Sequence, residues 1–173
     1  MAQSLAKLFE AKLKEDWYKL PYSTIDRLYD PVGGFHGISN ICDFIGYSFP
    51  FHFYLECKTV KSGTFSFSNL KQYSALLTKK GIKGVIAGAI IWFYGKDAVI
   101  FAPIEEIEKM KNNGEKSISI KKVVDNSYNS LYNIIQIPST KKITFMDSDY
   151  SVLIDFGYTK LSQLKQEEDC YGK

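Results

Sequence analysis

The sequence predicts an α/β domain, a mixed β-sheet flanked by helices, and three observations predict it. Apolar residues recur at helical spacing near the start and at strand spacing through the middle, so the segments run helix, strands, helix, strands, helix. The longest apolar run, Val85 to Tyr94, is interrupted by Gly88 and has the length of a buried strand. With 173 residues, 45% hydrophobic and 24% charged, the chain has enough apolar side chains for one core. The expectation is one domain over residues 1–165 and a flexible, acidic tail over 166–173.

The elements follow in order. Leu5, Leu8, Phe9, Leu13, Trp17 and Leu20 form one stripe, with Lys7, Lys12, Lys14 and Glu15 between them. That spacing is an amphipathic helix starting near Gln3 or Ser4 and ended by Pro21. Residues Tyr29 to Ser39, YDPVGGFHGIS, hold a proline and three glycines and read as a loop. Ile41–Tyr47 and His52–Val60 are rich in aromatic and branched residues and read as strands, with Ser48-Phe49-Pro50-Phe51 as the turn between them. Ser68 or Asn69 can cap a helix that carries Leu70, Tyr73, Leu76 and Leu77 inward and closes at Gly81. Val85–Phe93 and Ala98–Ala102 form a further strand pair. Pro103 then opens a helix with Glu105 and Glu106 in its first turn, Lys109 and Lys111 in its last and Gly114 at its end, as the helix dipole favours. Ile134–Ile137 and Lys142–Met146 are further strand candidates.

Composition excludes several classes. No apolar run approaches the ~18 to 20 residues of a membrane helix, and the charged start MAQSLAKLFEAKLKEDW lacks the apolar stretch of a signal peptide. Cys42, Cys57 and Cys170 are an odd set without a CxxC pair, and with only two histidines they argue against a disulfide framework or a structural zinc. Free thiols fit a cytoplasmic protein. The net charge of +3 does not identify a nucleic-acid binder by itself. Lysines do cluster, at Lys79, Lys80 and Lys83, at Lys116, Lys121 and Lys122, and at Lys141 and Lys142, which suits either a basic face or solvated surface.

The informative residues are CDF at 42–44 and ECK at 56–58. Folding the two strands back about the midpoint of Phe49 and Pro50 sets Asp43 directly opposite Glu56, on one face, with Cβ atoms about 4.5 to 5.5 Å apart. Alternation puts Lys58 on that face as well. Facing carboxylates repel unless a cation sits between them. An oxygen-ligated divalent metal with a neighbouring lysine and water has what phosphodiester hydrolysis needs. The alternative is a structural ion cluster of Asp43, Lys58 and Glu56, a poor choice among Phe44, Phe53, Tyr54 and Leu55. A one-residue slip in register would separate Asp43 from the other two.

With these residues in place the chain resembles the PD-(D/E)XK nuclease superfamily, and within it the RecU-type Holliday junction resolvases of low-GC Gram-positive bacteria and their phages. The similarity rests on SNICDF at 39–44, YLECKT at 54–59, TFSFSN at 64–69 and Gln72. It continues through GVIAGAIIWFYGKDAVIFAPIEEI at 84–107 and KSIS at 116–119, spanning roughly residues 5 to 146. The resemblance implies a restriction-endonuclease-like fold and a Mg2+-dependent (or Mn2+-dependent) endonuclease that acts as a homodimer on branched DNA, a four-way junction above all, in the cytoplasm. It implies Asp43 and Glu56 as metal ligands, Lys58 as the group that stabilises the transition state or orients water, and Gln72 as a support for the metal or its water. The backbone carbonyl of Cys57 is a further metal ligand candidate, while its thiol should point into the core. Glu10 stands where many of these nucleases carry a helical acidic residue.

Two positions depart from the family. Ile41 stands where RecU proteins carry a threonine ligand, and the 29–39 loop replaces a long stalk. Both bear on junction selectivity more than on metal chemistry, so a nuclease acting on flaps, ends or duplex stays open, as does a non-catalytic DNA-binding module. His36 and His52 have no partner motif, and no phosphate-binding GxxxxGK[ST] or GxGxxG pattern occurs. A composition rich in Lys, Ile, Tyr and Asn suits a low-GC genome, phage or host.

Overall fold

The computed structural model describes residues 4–29, 40–128 and 131–171. Most of the glycine-rich loop expected at 29–39, His36 included, lies outside them. Ser4 caps helix α1 (Leu5–Trp17), its hydroxyl accepting from the Lys7 amide at 3.3 Å, and Phe9, Leu13 and Trp17 are buried as the stripe requires. Lys12 departs from the expectation. It is buried, because Glu15, Asp16 and Asp147 surround its ammonium at 2.7, 3.0 and 3.2 Å. Burial alone would lower the Lys12 pKa, but these hydrogen bonds outweigh it and the group is held protonated.

Strand β1 (Ser23–Arg27) was not legible from sequence, since Ile25 is its one buried side chain. It pairs antiparallel with β2 (Phe44–Ser48), which forms a hairpin with β3 (Phe51–Val60). The register is the expected one, Phe44 opposite Leu55 and Ser48 opposite Phe51, and Phe49–Pro50 forms the turn with a cis peptide bond. After β4 (Thr64–Ser66) and a 3-10 turn at Phe67–Asn69, helix α2 covers Tyr73–Leu77. It starts later than expected. Ser68 and Asn69 belong to the 3-10 turn, and Gln72 takes the N-cap position without a capping hydrogen bond.

Strands β5 (Val85–Phe93) and β6 (Ala98–Pro103) and helix α3 (Ile104–Asn112) match the expectation closely. Strand β7 (Ser117–Ser119) pairs with β4, and α4 (Ile120–Val124) follows. Strand β8 (Ile135–Ile137) adds to β6. The predicted strand over Lys142–Met146 is instead the connection in a hairpin of β9 (Ser139–Lys141) and β10 (Met146–Ser148), closed by Lys142 N–H to Phe145 C=O at 2.8 Å. Helix α5 (Ser151–Tyr171) was not anticipated and runs into the segment expected as a tail.

The main sheet has the order β1-β2-β3-β5-β6-β8, with β3 and β5 parallel and every other pair antiparallel. The parallel pair requires a crossover, which α2 makes. The arrangement is the expected mixed sheet with helices on both sides. On one side α1 and α5 pack on Phe44, Phe53, Leu55, Cys57 and Ile90. Gly157 lets α5 sit close, since a Cβ there would stand 2.7 Å from the Phe51 ring. On the other side α2, α3 and α4 pack on Ala89, Ile91, Ile100 and Ala102.

Candidate active site

Alternation along β3 decides which layer each residue faces. Phe53, Leu55 and Cys57 join the α1/α5 core, and Tyr54 packs on the α2/α3 core with Glu56 and Lys58 on its side of the sheet. Cys57 is therefore a core thiol, as expected. Burial pushes its pKa well above the ordinary value and pushes that of the buried Cys42 to about 12, so neither is a nucleophile.

Asp43 ends the β2–β3 ladder. Beyond the Phe44–Leu55 pair the strands no longer exchange backbone bonds. The Asp43 carboxylate instead accepts the Cys57 amide through Oδ2 at 2.8 Å, while its carbonyl accepts the Leu28 amide at 2.8 Å. The residue is held from both sides at the end of the sheet.

Glu56 is fully buried. Its Oε1 accepts from Lys58 Nζ at 2.7 Å, whereas Oε2 is buried with no hydrogen-bond partner. Its pKa is pushed up to about 7, first by burial and then by the nearby Asp43 charge, with the Lys58 bond opposing. Lys58 keeps about a quarter of its side chain exposed, 26%, so the ammonium lies at the mouth of the site. Gln72 starts the crossover helix on this same side, and its Oε1 is also buried without a partner. Buried oxygens without a partner are costly; Glu105 and Glu106 on α3 each leave one as well, and those of Glu56 and Gln72 are the two that belong to the sequence motif. Both are hard donors, the type an oxygen-preferring cation takes. Among the described residues no three His, Cys, Asp or Glu side chains converge, so the acidic part of the cluster is Asp43 and Glu56.

Glu10 is placed differently. It lies on α1, across the sheet from Glu56, and its Oε2 accepts from Arg27 Nε at 2.7 Å. Sequence reasoning missed Arg27. The Glu10 bond is the main cause that raises its pKa, the Asp43 charge adds to it, and Arg27 pairs across the sheet with Phe44, the residue after Asp43. Nothing in the spacing of β1 signals this. The other sequence candidates stay outside. His52 is exposed on β3 beside the Tyr47 ring, and Ile41 packs its side chain against the α2/α3 core, where it supplies no oxygen. A cavity of about 800 Å3 lies elsewhere, between the end of α1 and β8–β10, and its Asp16, Asp97 and Asp147 carboxylates are engaged by Lys12, Lys19 and Lys141.

The model of the RecU family, recombination protein U, matches residues 33–147, more than half of the chain. The chain belongs to the RecU family of Holliday junction resolvases. This RecU-family protein is thus a nuclease of recombination, from a family that is typically metal-dependent. Among solved structures it is similar to the Holliday junction resolvase Hjc of the archaeal hyperthermophile Archaeoglobus fulgidus. Their sequence identity is 20% and the TM-score 0.49, with 66% of this chain and 88% of that one covered. No curated protein matches the sequence significantly. No helix among the described residues is long and apolar enough to cross a membrane.

Proposed function

We propose that this chain resolves four-way DNA junctions by metal-dependent hydrolysis of one phosphodiester in each of two opposed strands, with Asp43, Glu56, Lys58 and Gln72 as the catalytic group. The observation that carries this reading is the buried, partnerless Oε2 of Glu56, on a carboxylate whose other oxygen takes the Lys58 ammonium and which feels the nearby Asp43 charge. Asp43, Glu56 and Gln72 would hold Mg2+, or Mn2+ in its place. The carbonyl of Cys57 could join them, since a strand residue directs its N–H and C=O the same way and this N–H meets Asp43. Such an ion polarises the phosphoryl oxygens and activates water.

The protein's own groups do the rest. Glu56 and Asp43 supply negative charge that only a cation relieves. The bond from the Cys57 amide fixes the Asp43 carboxylate, and Glu56 orients Lys58 toward the solvent side, where a scissile phosphate would lie. The Glu10–Arg27 pair borders the site as a positioning element. One site cuts one strand, so symmetric resolution calls for a homodimer. The workplace is the cytoplasm, that of the host if the gene is phage-borne.

The test is cleavage of a labelled four-way junction beside linear duplex, with Mg2+ and with EDTA. Metal-dependent paired nicks on opposite arms, confined to the junction, support the proposal, and absence of any metal-dependent product overturns it. A second reading, a nuclease of flaps, ends or duplex, is favoured by Ile41, which brings a hydrocarbon where the family has an oxygen. Equal cutting of duplex and junction would select it.

A further inference from the structure

Resting on that reading, we propose that Lys61 and Lys96 form a paired grip on the DNA backbone two to three phosphates from the scissile one. Lys61 is the first residue past β3, three beyond Lys58, and Lys96 lies in the turn between β5 and β6. Parallel pairing brings the ends of β3 and β5 together, with Val60 beside Phe93. The Tyr94 amide donates to the Val60 carbonyl at 3.0 Å, joining the two turns. Gly95 makes the contact possible, because a Cβ there would stand 2.2 Å from the Lys61 carbonyl oxygen. Any other residue would push the turns, and the two lysines, apart.

The same packing directs Lys96. Lys96 Cε passes 3.7 Å from the place of a Cβ on Gly63, and the other neighbour of Gly63 is Ile120, a member of the α2/α3 core on the side of Glu56 and Lys58. Lys96 thus reaches the catalytic side. Both lysines are exposed, and among the described residues neither makes an ion pair. The adjacent acid, Asp97, does not neutralise Lys96, because its Oδ2 is taken by Lys141 at 2.7 Å. Two uncompensated lysines on adjoining turns favour a shared anion. Three residues of extended chain cover about 10 Å, the axial span of about three phosphates along one DNA strand. The partner that fits is one nucleic-acid strand, its scissile phosphate at Lys58 and a neighbouring phosphate at Lys61 and Lys96.

The experiment is junction binding by fluorescence anisotropy in EDTA, where cleavage is off, as a function of salt, for wild type, Lys61→Ala, Lys96→Ala, the double variant and Lys61→Arg/Lys96→Arg. Lys165→Ala, on α5, is the control. Each alanine should reduce the slope of log K against log salt by about one and the double by about two, with the arginine pair near wild type. In Mg2+ the single-turnover rate at saturating protein should stay near wild type while the half-saturating concentration rises. An unchanged slope in the double variant, or a slope change equal to that of Lys165→Ala, overturns the grip and leaves the active site standing. Wild-type protein that binds no junction at any salt overturns both readings.

Discussion

The Asp43 carboxylate takes the place of a β-ladder bond, accepting at 2.8 Å from the amide of Cys57, the residue between Glu56 and Lys58. One side chain therefore ends the pairing of β2 with β3 and ties its own charge to the strand that carries the other two charged groups.

Two substitutions separate these roles. Asp43→Asn keeps an oxygen for the Cys57 amide but removes the charge, so cleavage should fall by about 10²- to 10⁴-fold with Tm close to wild type. Asp43→Ala leaves a partly buried amide unpaired and should also cost about 1–3 kcal/mol in denaturant unfolding. An Asp43→Asn protein with normal turnover would remove Asp43 from the catalytic group.

The pH dependence of the metal-free protein should come from Glu56. Its folded pKa, about 7, lies above the ordinary 4.5, so the folded state holds the proton more tightly. The stability this adds is complete below the ordinary value and is lost as pH rises to about 7. Thermal unfolding in EDTA should show Tm falling across that interval, and Glu56→Gln should flatten the fall. Mg2+ competes with the proton, so the Tm increase it causes should be larger at pH 8 than at pH 6. A Mg2+ shift of equal size at both pH values would argue against Glu56 as a ligand.

Lys58 and Glu56 should be coupled. Lys58→Met leaves the Glu56 carboxylate buried without its cation and should cost about 1–3 kcal/mol above neutral pH, less below it. Adding Glu56→Gln should recover most of that loss with no recovery of cleavage. A double-mutant cycle by chemical denaturation measures it.

Away from the site, Asp16 is a stability residue. It is 2% exposed, its Oδ1 contacts Lys12 and Lys19 at 3.0 and 2.6 Å, and its Oδ2 accepts the Ser148 amide at 2.9 Å. Asp16→Ala takes one of three carboxylates from the buried Lys12 and leaves the buried Ser148 amide without its acceptor, and should cost about 1–3 kcal/mol. The cleavage rate of the folded fraction should be unchanged.

Close packing of α5 is tested by Gly157→Ala, whose new methyl would meet Phe51 and Ile86 at 2.7 and 2.9 Å. Overpacking of this kind costs about 1–3 kcal/mol, read as a lower Tm with catalysis intact.

Much of this protein was determined by local chemistry and could be read along the chain. The hairpin register followed from Pro50 in the turn and from the alternation of Phe51, Phe53 and Leu55, because a slip would turn those rings to the opposite layer. Val85–Phe93 and the helix after Pro103 were legible for the same kind of reason, a continuous apolar run and charges matched to a helix dipole. Asp43, Glu56 and Lys58 stood out as charges inside strands where charge is costly. Four things only the tertiary structure decided. Strand β1 exists because β2 offers it an edge, since Ile25 alone is too weak a pattern. Lys12 went to the interior because Asp147, far along the chain, meets it there with Asp16. Glu10 was drawn to Arg27, and Lys61 was set beside Lys96, by strand neighbours distant in sequence. Alternation and turn chemistry act over a few residues and leave a pattern. Pairing between distant charges and edges leaves none, because its energy depends on a distance that exists only once the sheet has formed.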